Sequence, residues 1–148
     1  MKIFLASDHA GFELKQKLID HLHARGHEVE DYGPTRLNPA DDYPDYITPC
    51  AKAVADTHDS MGIVAGMSGQ GEAMAANRVR GVRAAVYYGG PTDIIKLSRR
   101  HNDANMLSLG ARFVAPEEAT QAVDTWLATQ FEHDERHQRR ILKMDYPA

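Results

Sequence analysis

The residues best placed to do chemistry lie between Met61 and Arg78, in the stretch MGIVAGMSGQGEAMAANR. Ile63-Val64-Ala65 is a short apolar run of the length and branching expected for a buried strand. Gly66, Gly69 and Gly71 follow, with Ser68 and Gln70 between them. Glu72-Ala73-Met74-Ala75-Ala76-Asn77-Arg78 then reads as a helix with an acid in its first turn. A strand, a glycine-rich loop and a helix start aim several backbone N–H groups at one point, and the helix dipole adds its positive end. Such a point suits a phosphate, or an oxyanion that develops during a reaction. The hydroxyl of Ser68 and the carboxylate of Glu72 are placed to face whatever the amides hold. The spacing Gly66-x-x-Gly69-x-Gly71 is not the dinucleotide fingerprint, and no Lys-Ser/Thr pair makes it a Walker loop. The same residues have structural alternatives: glycines that only turn a strand into a helix, and an acid that only complements a helix dipole.

Other polar groups recur just outside apolar runs. Asp8 and His9 directly follow the run Lys2 to Ala6, and Tyr43 precedes Pro44. His101 and Asn102 lead a polar stretch before Met106. His101 has two readings, a C-terminal helix cap or an acid–base group at a sugar ring oxygen, because histidine titrates near neutral pH. Near the C-terminus, Arg136 and Arg140 stand four residues apart, a spacing that lets two guanidinium groups share a phosphate. The bland reading there is a solvated basic face balanced by Glu132, Asp134 and Glu135. Eight histidines occur without HExxH, CxxC or similar ligand spacing, so no metal site is expected.

The elements that must position these groups alternate. Strands are expected at Lys2–Ala6, His27–Tyr32, Ile63–Ala65, Val82–Tyr87 and Met106–Leu109. Helices are expected at Phe12–Arg25, Pro44–Asp56, from Glu72, and at Thr92–Arg100, Pro116–Gln130 and Asp134–Lys143. Gly26 closes the first helix, and Pro49 is expected to kink the second or delay its start. The pattern predicts a single-domain α/β protein over residues 1–148, a parallel five-stranded sheet with helices on both faces. Ligands of such sheets bind where strand carboxyl ends meet helix starts. Asp8-His9, Tyr43, the Ser68–Glu72 loop and His101-Asn102 are therefore expected to gather on one edge.

At 148 residues the chain is the size of one domain, and its net charge of −4 argues against a general nucleic-acid or anionic-membrane surface. The lone cysteine, Cys50, excludes an intrachain disulfide and fits a cytoplasmic setting. No stretch approaches the ~20 apolar residues of a membrane span.

Taken together, Ser7-Asp8-His9-Ala10-Gly11, Asp42-Tyr43-Pro44, Gly66 to Glu72 with Ala75-Ala76-Asn77-Arg78, His101-Asn102-Asp103, Gly110-Ala111-Arg112 and Arg136-His137-Gln138-Arg139-Arg140 resemble the type B ribose-5-phosphate isomerases. That superfamily also contains galactose-6-phosphate and allose-6-phosphate isomerases. The resemblance spans nearly the whole chain. It implies a Rossmann-like or flavodoxin-like fold and a cofactor-independent aldose–ketose isomerase. It also implies a homodimer, or a pair of dimers, with the active site between subunits and the C-terminal helix reaching the partner. By the same resemblance His101 opens the sugar ring with Asp8 near its hydroxyls, and the amides of Gly69 to Gly71 hold the enediolate. His9, Arg112, Arg136 and Arg140 hold the phosphate, some of them from the partner subunit, and Ser68 and Asn102 position substrate oxygens.

Many members carry a cysteine base at the position that is Gly66 here, whereas a second branch uses a glutamate where this chain has Glu72. Glu72 is then the base of the loop, pulled toward its charged form by the helix start and toward its neutral form by burial. Gly89-Gly90-Pro91 departs from the pattern and leaves the sugar open among ribose 5-phosphate, allose 6-phosphate, galactose 6-phosphate and a tetrose phosphate. The residues alone also admit a non-catalytic flavodoxin-like domain that binds a phosphate ligand.

Overall fold

The computed structural model describes residues 1–148. In chain order the elements are β1 (Lys2–Ser7), α1 (Phe12–Ala24), β2 (Glu28–Asp31), α2 (Pro44–Asp56), β3 (Ser60–Gly66), α3 (Gln70–Ala76), β4 (Ala84–Tyr87), α4 (Asp93–Asn102), β5 (Met106–Gly110), α5 (Pro116–Ala128) and α6 (Glu135–Asp145). Every expected strand and helix is present. Their ends shift by only a few residues, as hydrogen bonding decides termini that hydropathy does not.

The five strands pair wholly in parallel in the order β2-β1-β3-β5-β4. The flavodoxin order is 2-1-3-4-5. Here the last two strands are exchanged, so β5 lies inside against β3 and β4 forms an edge. Composition follows position: β3 and β5 are buried along their full length, whereas β2 and β4 are short and partly open. Short edge strands limit pairing with other chains.

Alternate residues of each inner strand face opposite layers. Ile3, Leu5, Ile63, Leu107 and Leu109 pack with Leu14, Leu18 and Leu22 of α1, Ile95 of α4 and Trp126 of α5. Phe4, Ala6, Val64 and Met106 pack with Ile47, Cys50, Ala51 and Val54 of α2 and Ala76 of α3. The Cys50 thiol is fully buried in this second layer, and desolvation pushes its pKa well above the ordinary thiol value. It is a packing residue. α6 lies outside both layers and packs on α4.

Local signals act as their chemistry dictates. Gly26 takes φ +81 after α1 and its N–H returns to the His23 carbonyl at 2.9 Å. Pro49 sits inside α2, which already begins at Pro44, so it does not delay the helix start. Its ring removes one N–H donor from the ladder. Lys15 is wholly buried under α1, where its Nζ reaches both oxygens of Asp31 at 2.6 and 2.8 Å and the Pro34 carbonyl at 2.8 Å. That pair ties the end of β2 to the first helix.

Candidate active site

In a parallel sheet the chain reverses direction at the strand between two outward windings, and the flanking loops separate there to leave a crevice. β1 and β3 are that point here. The loop after β1 runs close against the end of β3: the Asp8 N–H donates to the Ala65 carbonyl at 3.3 Å, and any Cβ on Gly11 would overlap that carbonyl. Asp8 is 8% exposed and accepts the Gly11 N–H at 3.1 Å. Only glycine allows the two loops to approach this closely.

The glycine loop after β3 is fastened from several sides. Ser108 of β5 donates its hydroxyl to the Gly69 carbonyl at 2.6 Å, and the N–H groups of Ala111 and Arg112 donate to the Gly66 and Met67 carbonyls at 2.8 and 3.1 Å. Gly69 has φ +77, a left-handed turn that frees the first amides of α3. The Ser68 hydroxyl accepts the Gln70 N–H at 3.3 Å, a contact within the loop. The Tyr43 ring packs over Gly71, with Cζ only 2.9 Å from where a Cβ would stand. Arg112 is exposed, its guanidinium 3.8 Å from Met67 Sδ.

Glu72 is 4% exposed in the first turn of α3. Its carboxylate fills the space in front of Gly66. A Cβ at residue 66 would overlap the carboxylate, with even Oε2 only 2.5 Å away. Burial pushes the Glu72 pKa above the usual carboxylate value, the Asp8 charge pushes it further, and a hydrogen bond from its own backbone N–H opposes both. Of the two pulls read from the sequence, burial wins.

His9 faces a second carboxylate. Its backbone N–H and its ring Nδ1 lie 3.2 and 2.6 Å from Asp41 Oδ1. Asp41, in the loop between β2 and α2, was not among the candidate residues. Its only sequence signal is the acidic pair Asp41-Asp42 beside Tyr43, and such pairs are common in turns.

The fourth expected group does not join the other three. His101 and Asn102 form the last turn of α4, which returns from the carboxyl edge of the sheet to the amino edge where β5 begins. A residue just before a parallel strand must lie at that strand's amino end. Five residues of β5 span roughly 16 Å, so His101 and Glu72 stand on opposite edges of the sheet. The expectation that all four loops share an edge is corrected accordingly.

A second cluster forms at the amino edge, where α6 packs on the end of α4. The His101 and His137 rings stack 4.4 Å apart at 14°, and Glu132 Oε2 lies 3.7 and 3.9 Å from their Nε2 atoms. Arg100 pairs with Glu132. Arg136 and Arg140 are both exposed on α6 beside the buried His137. Asp134 starts this helix by accepting the Arg136 N–H at 2.9 Å. A cleft of about 680 Å3 also adjoins Asn102, with Arg78, Arg83 and Met144 in its walls.

Two groups each bring three side chains of metal-ligating type together: His101-Glu132-His137 and Asp8-His9-Asp41. Neither is arranged for an ion. Nearly parallel stacked imidazoles cannot both hold one metal in their ring planes, and the 2.6 Å His9–Asp41 contact already pairs the facing atoms.

The Ribose/Galactose Isomerase family model matches residues 3–144. This chain belongs to that family. It is similar to the probable ribose-5-phosphate isomerase B of Mycoplasma pneumoniae, 44% identical over 142 residues that cover 96% of this chain and 91% of the relative. It is equally similar to ribose-5-phosphate isomerase B of Mycobacterium tuberculosis H37Rv, 44% identical over 95% of this chain and 86% of that protein. The crystal structure of Mycoplasma genitalium ribose-5-phosphate isomerase B with bound ribulose-5-phosphate has a TM-score of 0.91 at 41% identity, covering 97% of this chain and 93% of the other. The fold and the expected family agree. No helix is long and apolar enough to cross a membrane.

Proposed function

We propose that the protein interconverts ribose 5-phosphate and ribulose 5-phosphate, with Glu72 as the base that carries a proton between C2 and C1. The observation that carries this reading is the Glu72 carboxylate lying where a side chain at residue 66 would project. Family members that use a cysteine at that position need the same volume for a thiol. In this chain the helix supplies the base and glycine supplies the room. The ribulose-5-phosphate bound to the M. genitalium relative supports the substrate assignment.

The open-chain aldose loses its C2 proton to Glu72, and the resulting cis-enediolate takes the proton back at C1 while the O2 hydroxyl proton passes to O1. Negative charge develops on the substrate oxygens, and the amides of Gly69, Gln70 and Gly71 meet it, with the Ser68 hydroxyl nearby. The raised pKa of Glu72 makes it a stronger base once ionised and a competent acid on the return step. Both electrons of the C–H bond stay within the sugar, so the step needs no redox cofactor.

Ring opening and phosphate binding fall to His101, Asn102, Arg136 and Arg140 together with Asp8, His9, Tyr43 and Arg112. Because the first four lie on the opposite edge from Glu72, the site requires a second copy of the chain. The reading is therefore a homodimer, or a dimer of dimers, in which α6 and the end of α4 of one subunit complete the site of the other. A cytoplasmic setting goes with this reading, and the single buried thiol supports it. Turnover of ribose, allose, galactose and tetrose phosphates by one preparation tests the assignment. Ribose 5-phosphate is expected to give the highest kcat/KM. Absence of turnover with all four, combined with tight flavin mononucleotide binding, would overturn it in favour of a binding domain.

A further inference from the structure

We propose that Asp41 is the positioning residue of the phosphate site, holding His9 in the one protonation state that can donate to a phosphate. The inference rests on the reading above that His9 contacts the substrate phosphate. Asp41 contributes no contact to the sugar in this account and acts only through the imidazole.

The Asp41 side chain is 2% exposed, and its Oδ1 lies 2.6 Å from His9 Nδ1 and 3.2 Å from the His9 backbone N–H. A carboxylate offers only acceptors, so Nδ1 must carry the hydrogen of the shorter contact. In a neutral imidazole the proton on Nδ1 leaves Nε2 bare, and a bare nitrogen faces phosphate oxygens as a second acceptor. Only the imidazolium satisfies both sides, donating through Nδ1 to Asp41 and through Nε2 to the ligand.

The cost side points the same way. Asp41 Oδ2 is buried without a hydrogen-bond partner. A buried carboxylate with an unpaired oxygen is expensive unless a cation stands beside it. Asp8 and Asp41 are the titratable groups that face His9, and both favour its charged form. The hydrogen bond to Asp41 is the larger influence holding the His9 pKa above the ordinary histidine value, with burial opposing it. Asp8 already accepts the Gly11 N–H and therefore shares its charge with the loop.

The test uses Asp41→Asn, which keeps the size and an acceptor oxygen but removes the charge, alongside His9→Gln and the double variant. Asp41→Asn is expected to raise KM for ribose 5-phosphate by about tenfold at neutral pH, the scale of one lost charge-assisted contact, with kcat little changed. The KM defect should shrink as pH falls and the imidazole is protonated without help. The double variant should be no worse than His9→Gln alone. A KM for Asp41→Asn that matches wild type at every pH, while His9→Gln raises it, overturns the role of Asp41. Multiplicative effects of the two substitutions overturn it too. An unchanged KM in His9→Gln overturns instead the placement of His9 at the phosphate. Independently of any variant, a His9 titration followed by 13C NMR in the wild-type enzyme should have its midpoint above about 6.5, and a midpoint at or below that value refutes the inference.

Discussion

Replacing Gly66 by alanine separates the position of the base from its chemistry. The added Cβ would overlap the Glu72 carboxylate, and its contact with Oε2 alone would be 2.5 Å. Ordinary carbon–oxygen contacts need about an ångström more, so the carboxylate must leave. The obstacle is the far end of a side chain, not backbone, and β3 itself has no cause to unpair. Overpacking of that kind costs about 1–3 kcal/mol. For a chain of 148 residues the melting temperature should fall by roughly 3 °C per kcal/mol. Losing a positioned general base costs about 10²–10⁴ in rate. Gly66→Ala should therefore fold, melt a few degrees lower and turn over ribose 5-phosphate about as poorly as Glu72→Ala. The rate is read from ketose formation and the fold from calorimetry. Near-wild-type turnover in a folded Gly66→Ala enzyme would refute the claim that Glu72 works from this volume. The double variant Gly66→Cys with Glu72→Ala moves the base across the freed space and should recover part of the lost rate.

Glu72→Gln should melt higher than wild type at neutral pH. A folded pKa above the unfolded one means that the stabilising contribution is present at low pH and lost as pH rises through the folded value, so the gap between the two proteins should close in acid. The acid limb of kcat/KM should accordingly lie above the ordinary glutamate range. Asp31→Ala leaves the Lys15 ammonium buried without its carboxylate and should cost about 3–5 kcal/mol in denaturant unfolding. A loss under about 1 kcal/mol would show that Lys15 finds water instead. Mixing inactive Glu72→Gln and Arg136→Ala/Arg140→Ala subunits under exchange conditions should restore about a quarter of wild-type activity, because half the dimers are mixed and each holds one intact site. No recovery would mean that both edges act within one subunit.

Much of this arrangement was legible from residue order. The apolar runs at Lys2–Ala6 and Ile63–Ala65, the glycines after the second and the acids opening Pro116–Ala128 encode local structure, and each appears where its chemistry requires. The exchange of β4 and β5 was not legible. It depends on which of two short strands buries more surface against β3, a tertiary comparison that no local pattern contains. The opposite placement of His101 was available in principle, since α4 must end where β5 begins. Reading His101-Asn102 as a loop instead of the last helical turn concealed it. Asp41 was hidden for another reason: its partner His9 is 32 residues away, and nothing near it marks the contact.

The account stands on Glu72 removing the proton from C2. Incubation with ribose 5-phosphate in deuterium oxide, with C2 followed by NMR, measures that step apart from ring opening and product release. Wild-type enzyme should exchange the C2 hydrogen, and Glu72→Gln should bind the sugar phosphate yet leave it in place. Exchange at the wild-type rate in Glu72→Gln would contradict the account.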